Sequence, residues 1–258
     1  MEQLTFGACV KKGWISSWQA VKHMPWVFIG TCAVLACTSL LTAPHPSSVE
    51  SGDASARVGQ GLLSLLWLVL QLVVSGTLTI KVHRFVLLGE GANPLVPLQG
   101  RPLGRYAIVW LAVALTMLVL AGVIFVAGHA FKFGILIYVP LLLIFLFVII
   151  RLSLLYPSIA LGSRLTWRAA WRDSRGHWWS ILGVGFVTYL PLFVVSGVFF
   201  FVVGPKVLAV QQSQGAAVVA IVQALLNAVF IVFAAASLSW LYRRYAQELL
   251  THAHDQPH

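Results

Sequence analysis

Acid–base chemistry needs carboxylates, imidazoles or thiols brought to one place, and this chain has few of them. Its acidic residues are Glu2, Glu50, Asp53, Glu90, Asp173, Glu248 and Asp255. None falls in the core of an apolar run, where proton- and cation-coupled carriers usually keep a carboxylate. Cys9, Cys32 and Cys37 form no CxxC and carry no zinc spacing. They read as small buried hydrophobes, with no disulfide framework. His252, His254 and His258 make a sparse tail, read as a solvated, disordered end in preference to a metal site. There is no P-loop, HExxH, GxSxG or Rossmann glycine pattern. The expectation is a non-enzymatic chain with no cofactor and no metal site.

What remains is polar chemistry inside apolar segments. Arg151 is the one charge that can fall within a span. If its helix continues to Gly162, the guanidinium lies about 16 Å deep at 1.5 Å per residue, and needs a buried partner or an anion. If the helix reaches the interface near Arg151, the side chain snorkels. The parallel positions of Arg84 and Arg244 favour snorkelling. Gln223 and Asn227 stand four residues apart beside a ladder of small residues, Ala216, Ala220, Ala224 and Ala228. Such ladders let helices approach closely. With Gln71 as a plausible partner, these amides are expected to hydrogen-bond between helices. A hydrophilic tunnel lined by Gln71, Gln223, Asn227 and Arg151 would instead mark a transporter.

The elements that hold these residues follow from composition. Of the 258 residues, 59% are hydrophobic and 9% charged, against roughly 25% charged in a soluble domain. A helix needs about 20 apolar residues to cross a hydrocarbon core of roughly 30 Å. Six runs qualify: about Pro25 to Ala43, Gly61 to Val82, Tyr106 to Ala127, Gly134 to Leu155, Trp179 to Val203 and Ala216 to Tyr242. They lack the alternation of a membrane barrel. The expected fold is all-α, a single polytopic transmembrane domain, with a tail over 249–258. Pro191 should kink the fifth span.

Lys and Arg number 17 against 7 Asp and Glu. If the six spans alternate, fourteen of the 17 cations fall on one side, and only Arg57, Lys132 and Lys206 on the other. Short cytoplasmic loops are enriched in Lys and Arg, so both termini are expected in the cytoplasm. No basic domain stands apart from the apolar runs, so nucleic acid is not expected as a partner.

Two amphipathic segments complete the outline. Over 6–22, Phe6, Val10, Trp14, Ser17 and Val21 share a helical face with Trp18 at its edge, and Lys11, Lys12 and Lys22 lie mostly opposite. Over 164–175, Trp167, Ala170, Trp171 and Ser174 form one face, and Arg164, Arg168, Arg172 and Arg175 the other. A Trp face against a basic face suits a helix lying in the membrane interface, where the cations meet anionic lipid. A shift of 153 residues superposes Trp14 on Trp167, Trp18 on Trp171 and Trp26 on Trp179. Arg84, Arg151 and Arg244 each close an even-numbered span and precede similar Leu-rich runs. Three related hairpins in one orientation are the expected plan, unlike the inverted repeats of many transporters.

The stretch Arg151-Leu-Ser-Leu-Leu-Tyr-Pro-Ser-Ile-Ala-Leu, then Leu165-Thr-Trp-Arg-Ala-Ala-Trp and Arg175-Gly-His-Trp-Trp, resembles a pattern in bacterial six-helix inner-membrane proteins. It is similar to the YciC-like group and to the membrane domain appended to some glycerophosphodiester phosphodiesterases. The motif is confined to about 30 residues, while the spacing similarity covers most of the chain. The resemblance implies a bacterial inner-membrane bundle. It carries over no catalytic residue, because the phosphodiesterase chemistry belongs to a separate soluble domain. The resulting expectation is a scaffold or lipid-interacting component of the envelope, with anionic lipids as partners and a protein partner or second copy left open. A small-solute or lipid transporter is the alternative.

Overall fold

Leu, Val, Ala, Ile and Phe in long uninterrupted runs leave the backbone no polar neighbours, so its N–H and C=O groups must pair within each segment. The computed structural model describes residues 5–41, 54–90, 100–130, 134–163, 166–210, 212–246 and 249, and among them the regular structure is entirely helical. The helices are α1 (Phe6–His23), α2 (Pro25–Leu41), α3 (Ala54–Leu88), α4 (Gly100–Ala130), α5 (Gly134–Leu152) and α6 (Leu155–Ala160). They continue with α7 (Trp167–Asp173), α8 (Trp178–Val198), a π-helical turn (Phe199–Val203), α9 (Gly204–Val210) and α10 (Gln212–Tyr245).

Five helical stretches are long and apolar enough to cross a membrane: Gly61–Leu88, Pro102–Val123, Val139–Ala160, Trp178–Val207 and Ala217–Tyr245. A sixth arises if the pair α1–α2, bent by 89°, counts as one span. The expected first span starts at Pro25 as α2 does, and its last residues, 42–43, lie outside the described ones. The outer surface of these helices is apolar; Phe201, for example, is 86% exposed. Such a surface in water would be a large adhesive patch. The architecture is that of a multi-pass membrane protein.

Helix α10 is the hub. It packs against α1, α2, α3, α8, α9 and α6. Its alanine ladder explains why: Ala220, Ala224 and Ala228 are all buried, and Ala224 and Ala228 pack with Leu35 of α2. Toward its end, Val232, Ala235 and Ala236 close on Leu78, Val82 and Val86 of α3 and on Ala20 and Met24. The α4–α5 hairpin is more peripheral. The two helices pack on each other, α4 leans on α3 and α6, and α5 leans on α7 and α8.

Helix α1 turns small residues inward. Cys9, Gly13, Ser16, Ser17 and Ala20 are buried, while Trp18 and Phe6 face out. A β-carbon on Gly13 would lie 2.9 Å from Ser237 Oγ, so α1 rests directly on α10. The sequence had grouped Ser17 with Phe6, Val10, Trp14 and Val21. The buried stripe is instead the adjacent one, because backbone approach to α10 needs the smallest side chains. Cysteine burial differs from expectation in part: Cys9 is buried, Cys32 half-buried and Cys37 exposed.

Helix α5 stops at Leu152, and Pro157 supplies a reason. Proline has no N–H to give the carbonyl four residues back, here Ser153. That carbonyl instead accepts from Tyr156 N–H at 3.2 Å, and a turn at Ser153–Leu154 separates α5 from α6. Helix α8 runs on through Pro191 and then widens to π geometry at Phe199–Val203. The expected interfacial helix over 164–175 is shorter than the pattern suggested. Helix α7 ends at Asp173, and Gly176 then adopts φ +81° in the turn toward α8.

Candidate functional site

The cations of α1, of the ends of α3, α5 and α10, and of the start of α4 gather at one end of the bundle. Two of them serve the fold. Arg243 donates to the carbonyls of Val86 and Leu87 at 2.7 and 2.8 Å, closing the last turn of α3. Arg105 donates to Gly162 and Ser163 carbonyls at 2.6 and 2.7 Å, just past α6. Carbonyls at a helix end have no intrahelical donor, and a guanidinium both satisfies them and meets the negative end of the dipole. Arg84 forms a two-pronged pair with Glu90, at 2.6 and 2.7 Å. This pairing holds the Glu90 carboxyl below the usual carboxylate range.

The cations of α1 and of the segment around α7 lie among tryptophans. In α1, Lys11 and Lys22 are exposed and Lys12 half-buried. Lys12 lies over the Trp240 ring at 4.9 Å and Lys22 over Trp18 at 5.5 Å. Trp240 also receives Arg243 at 4.9 Å and donates its indole N–H to Ser16 Oγ at 3.0 Å. In the second segment Arg168 and Arg172 are exposed on α7, and Arg175 is exposed in the turn that follows it. Arg164 lies outside the described residues. Ala169, Ala170 and Ser174 are buried beneath them, so the segment is pinned by its small side and presents Trp167 and Trp171 at its rim.

Arg151 neither buries an ion pair nor extends freely. Its guanidinium carbon sits 4.9 Å from the Phe147 ring and 4.5 Å from Trp171, tying the end of α5 to α7. Cation–π contacts of this kind strengthen as water is excluded. Its Nε is buried without a hydrogen-bond partner. Beside it, Leu152, Trp167, Arg168, Trp171 and Arg172 line an open recess of about 340 Å³.

The expected intramembrane polar group does not assemble. Gln71, Gln223 and Asn227 are each exposed on the outer surface, and no hydrogen bond joins Gln71 to either of the others. Arg151 stands apart from them, against the aromatic rings. Burial of the alanine ladder turns Gln223 and Asn227 outward, since residues one position away point elsewhere on a helix.

The sequence reading passed over the most buried polar contact in the bundle. His83 on α3 is fully enclosed, and its Nδ1 lies 2.8 Å from Ser239 Oγ on α10. Ser239 gives its own hydrogen to the Ala235 carbonyl at 2.8 Å. The imidazole must therefore carry its proton on Nδ1 and donate it to Ser239. That leaves Nε2 as a buried acceptor with no partner. The expected second span ended at Val82, which left His83 just outside it; the helix in fact runs on to Leu88 and carries His83 inward.

No family model, curated protein or solved structure matches the chain.

Proposed function

We propose that this chain is a non-enzymatic, lipid-interacting protein of a bacterial inner membrane, acting as a scaffold or assembly component of the envelope. Its basic end faces the cytoplasm, and anionic phospholipid is its principal partner. The observation that carries this reading is the outward set Lys11, Lys22, Arg168, Arg172 and Arg175, interleaved with Trp18, Trp167 and Trp171 at one end of an apolar bundle. Tryptophan favours headgroup depth, and each cation near an anionic leaflet contributes about 1 kcal/mol. The cations that the fold needs are separate ones, Arg105 and Arg243. The bacterial placement rests on the resemblance around Arg151 and Trp167–Trp171.

The test is native mass spectrometry of the wild type and of a variant with Arg164, Arg168, Arg172 and Arg175 changed to Gln, released from mixed neutral and anionic lipid. The variant should retain markedly less anionic lipid. Equal retention would show that these charges serve only to orient the chain or to meet a protein.

A further inference from the structure

The recess beside α7 adjoins a longer space. Between α4 and α5 runs a cleft of about 430 Å³, walled almost wholly by hydrocarbon. It reaches from Val123 and Leu141 at one end to Leu152 and Trp167 at the other. Leu152 and Trp167 line both the cleft and the recess, so the two are adjacent. From Val109 to Val123 the cleft follows α4 for about 21 Å at 1.5 Å per residue. One leaflet of a 30 Å core is about 15 Å deep. The cleft thus has the length of an extended acyl chain and the polarity of one. A polar solute would find no hydrogen-bond partner along most of it.

The other end has the opposite chemistry. Arg168 and Arg172 line the recess together with Trp167 and Trp171. Guanidinium groups match phosphate oxygens in geometry and charge. Indole rings, with an apolar body and a polar edge, suit the depth at which a glycerol backbone lies. We infer that cleft and recess are one seat for a single anionic phospholipid, with an acyl chain between α4 and α5 and its phosphate against Arg168 and Arg172. This rests on the lipid-binding reading above and adds to it a defined place and a stoichiometry of one.

The full chain in nanodiscs of phosphatidylcholine, doped with phosphatidylglycerol carrying a photoreactive acyl chain, tests the seat. Adducts are mapped by peptide mass spectrometry. They should concentrate on 109–123 and 141–152. Arg168→Gln and Arg172→Gln should each lower them about fivefold, the equivalent of about 1 kcal/mol per charge. Ala112→Trp should fill the cleft and abolish them. Thr116→Phe is a second obstruction from the next turn, replacing a hydroxyl that only bonds back to Ala112 O at 2.8 Å. Leu115→Trp, exposed on α4 and outside the cleft lining, should change nothing. Adducts spread evenly over the outer helices, yet falling when the arginines are neutralised, would overturn the seat and keep the lipid-binding reading. Adducts indifferent to the arginines, or formed equally by the phosphatidylcholine analogue, would overturn both.

Discussion

His83, Ser239 and Ser237 show how differently three buried polar side chains can matter. Among the described residues Ser239 is the one hydrogen-bond partner of the His83 ring, and either imidazole tautomer would leave an N–H unpaired without it. Ser239→Ala should therefore cost about 1–3 kcal/mol, the desolvation penalty of an orphaned donor. Ser237 lies two residues earlier on α10, and its hydroxyl is buried with no partner at all. Ser237→Ala removes a group that gains nothing from burial and should be silent or slightly stabilising. Thermal melting of both variants in one detergent measures the contrast, and equal melting would show that the His83–Ser239 contact is not formed. Glu90 offers a second measurement. Arg84 depresses its folded-state pKa, so the pair adds stability above the unfolded carboxyl pKa of about 4.3 and loses it as pH falls through the folded value. Both side chains are at least a third exposed, so solvent screening keeps the effect well under about 1 kcal/mol. Wild type and Glu90→Gln should differ slightly in melting at pH 7 and converge in acid.

Among the helices, the close approaches decide what can change. A β-carbon on Gly76 of α3 would meet the Tyr106 ring of α4 at 2.9 and 3.0 Å. That ring is itself held near Tyr156, with centroids 5.6 Å apart. Gly76→Ala should therefore separate α3 from α4 and cost about 1–3 kcal/mol. Gly122→Ala on α4, where a β-carbon meets open space, should be neutral or gain a fraction of the helix preference of alanine, at most about 1 kcal/mol. The alanine ladder follows the same logic. Ala220→Leu and Ala224→Leu overpack the face where α10 is buried, whereas Ile221→Leu lies on the exposed side and should be silent. Melting curves that fail to separate buried from exposed positions would remove the ladder as an interface.

For the whole molecule, the proposed orientation rests on the basic end. Contacts from Arg243 to α3, from Arg105 to the end of α6, and from the Leu249 backbone N–H to Asp173 at 3.0 Å place these cationic segments at one end of the bundle. With that end in the cytoplasm, reporter fusions after residues 98, 170 and 258 should report the inside. Fusions after residues 52 and 210 should report the outside. One reversed position would break the six-span topology. The two halves also share a detail of the proposed repeat. Trp26 and Trp179 are each the second residue of their helix, and each is 76% exposed. The elements before them differ, since α1 has 18 residues and α7 only seven.

The sequence by itself determined the apolar surroundings and the all-helical class. A run of about 20 apolar residues can satisfy its backbone in lipid only as a helix, and the period of small residues was enough to mark α10 as a packing helix. Charge could be read from order along the chain, because positions before and after a span must lie on opposite sides. Tertiary structure decided which stripe of a nearly uniform helix faces inward. Apolar side chains gain as much from lipid as from protein, so hydrophobicity gives no direction, and only steric fit chose Cys9, Gly13, Ser16 and Ala20 over the neighbouring face of α1. The same fit turned Gln223 and Asn227 outward with the alanines inside. It also brought His83 to Ser239, 156 residues away, and set Arg151 against the rings of both Phe147 and Trp171. The α4–α5 cleft was the least legible feature. It exists because two helices fail to close against each other, and the shape of a gap is a property of both partners that neither segment encodes alone.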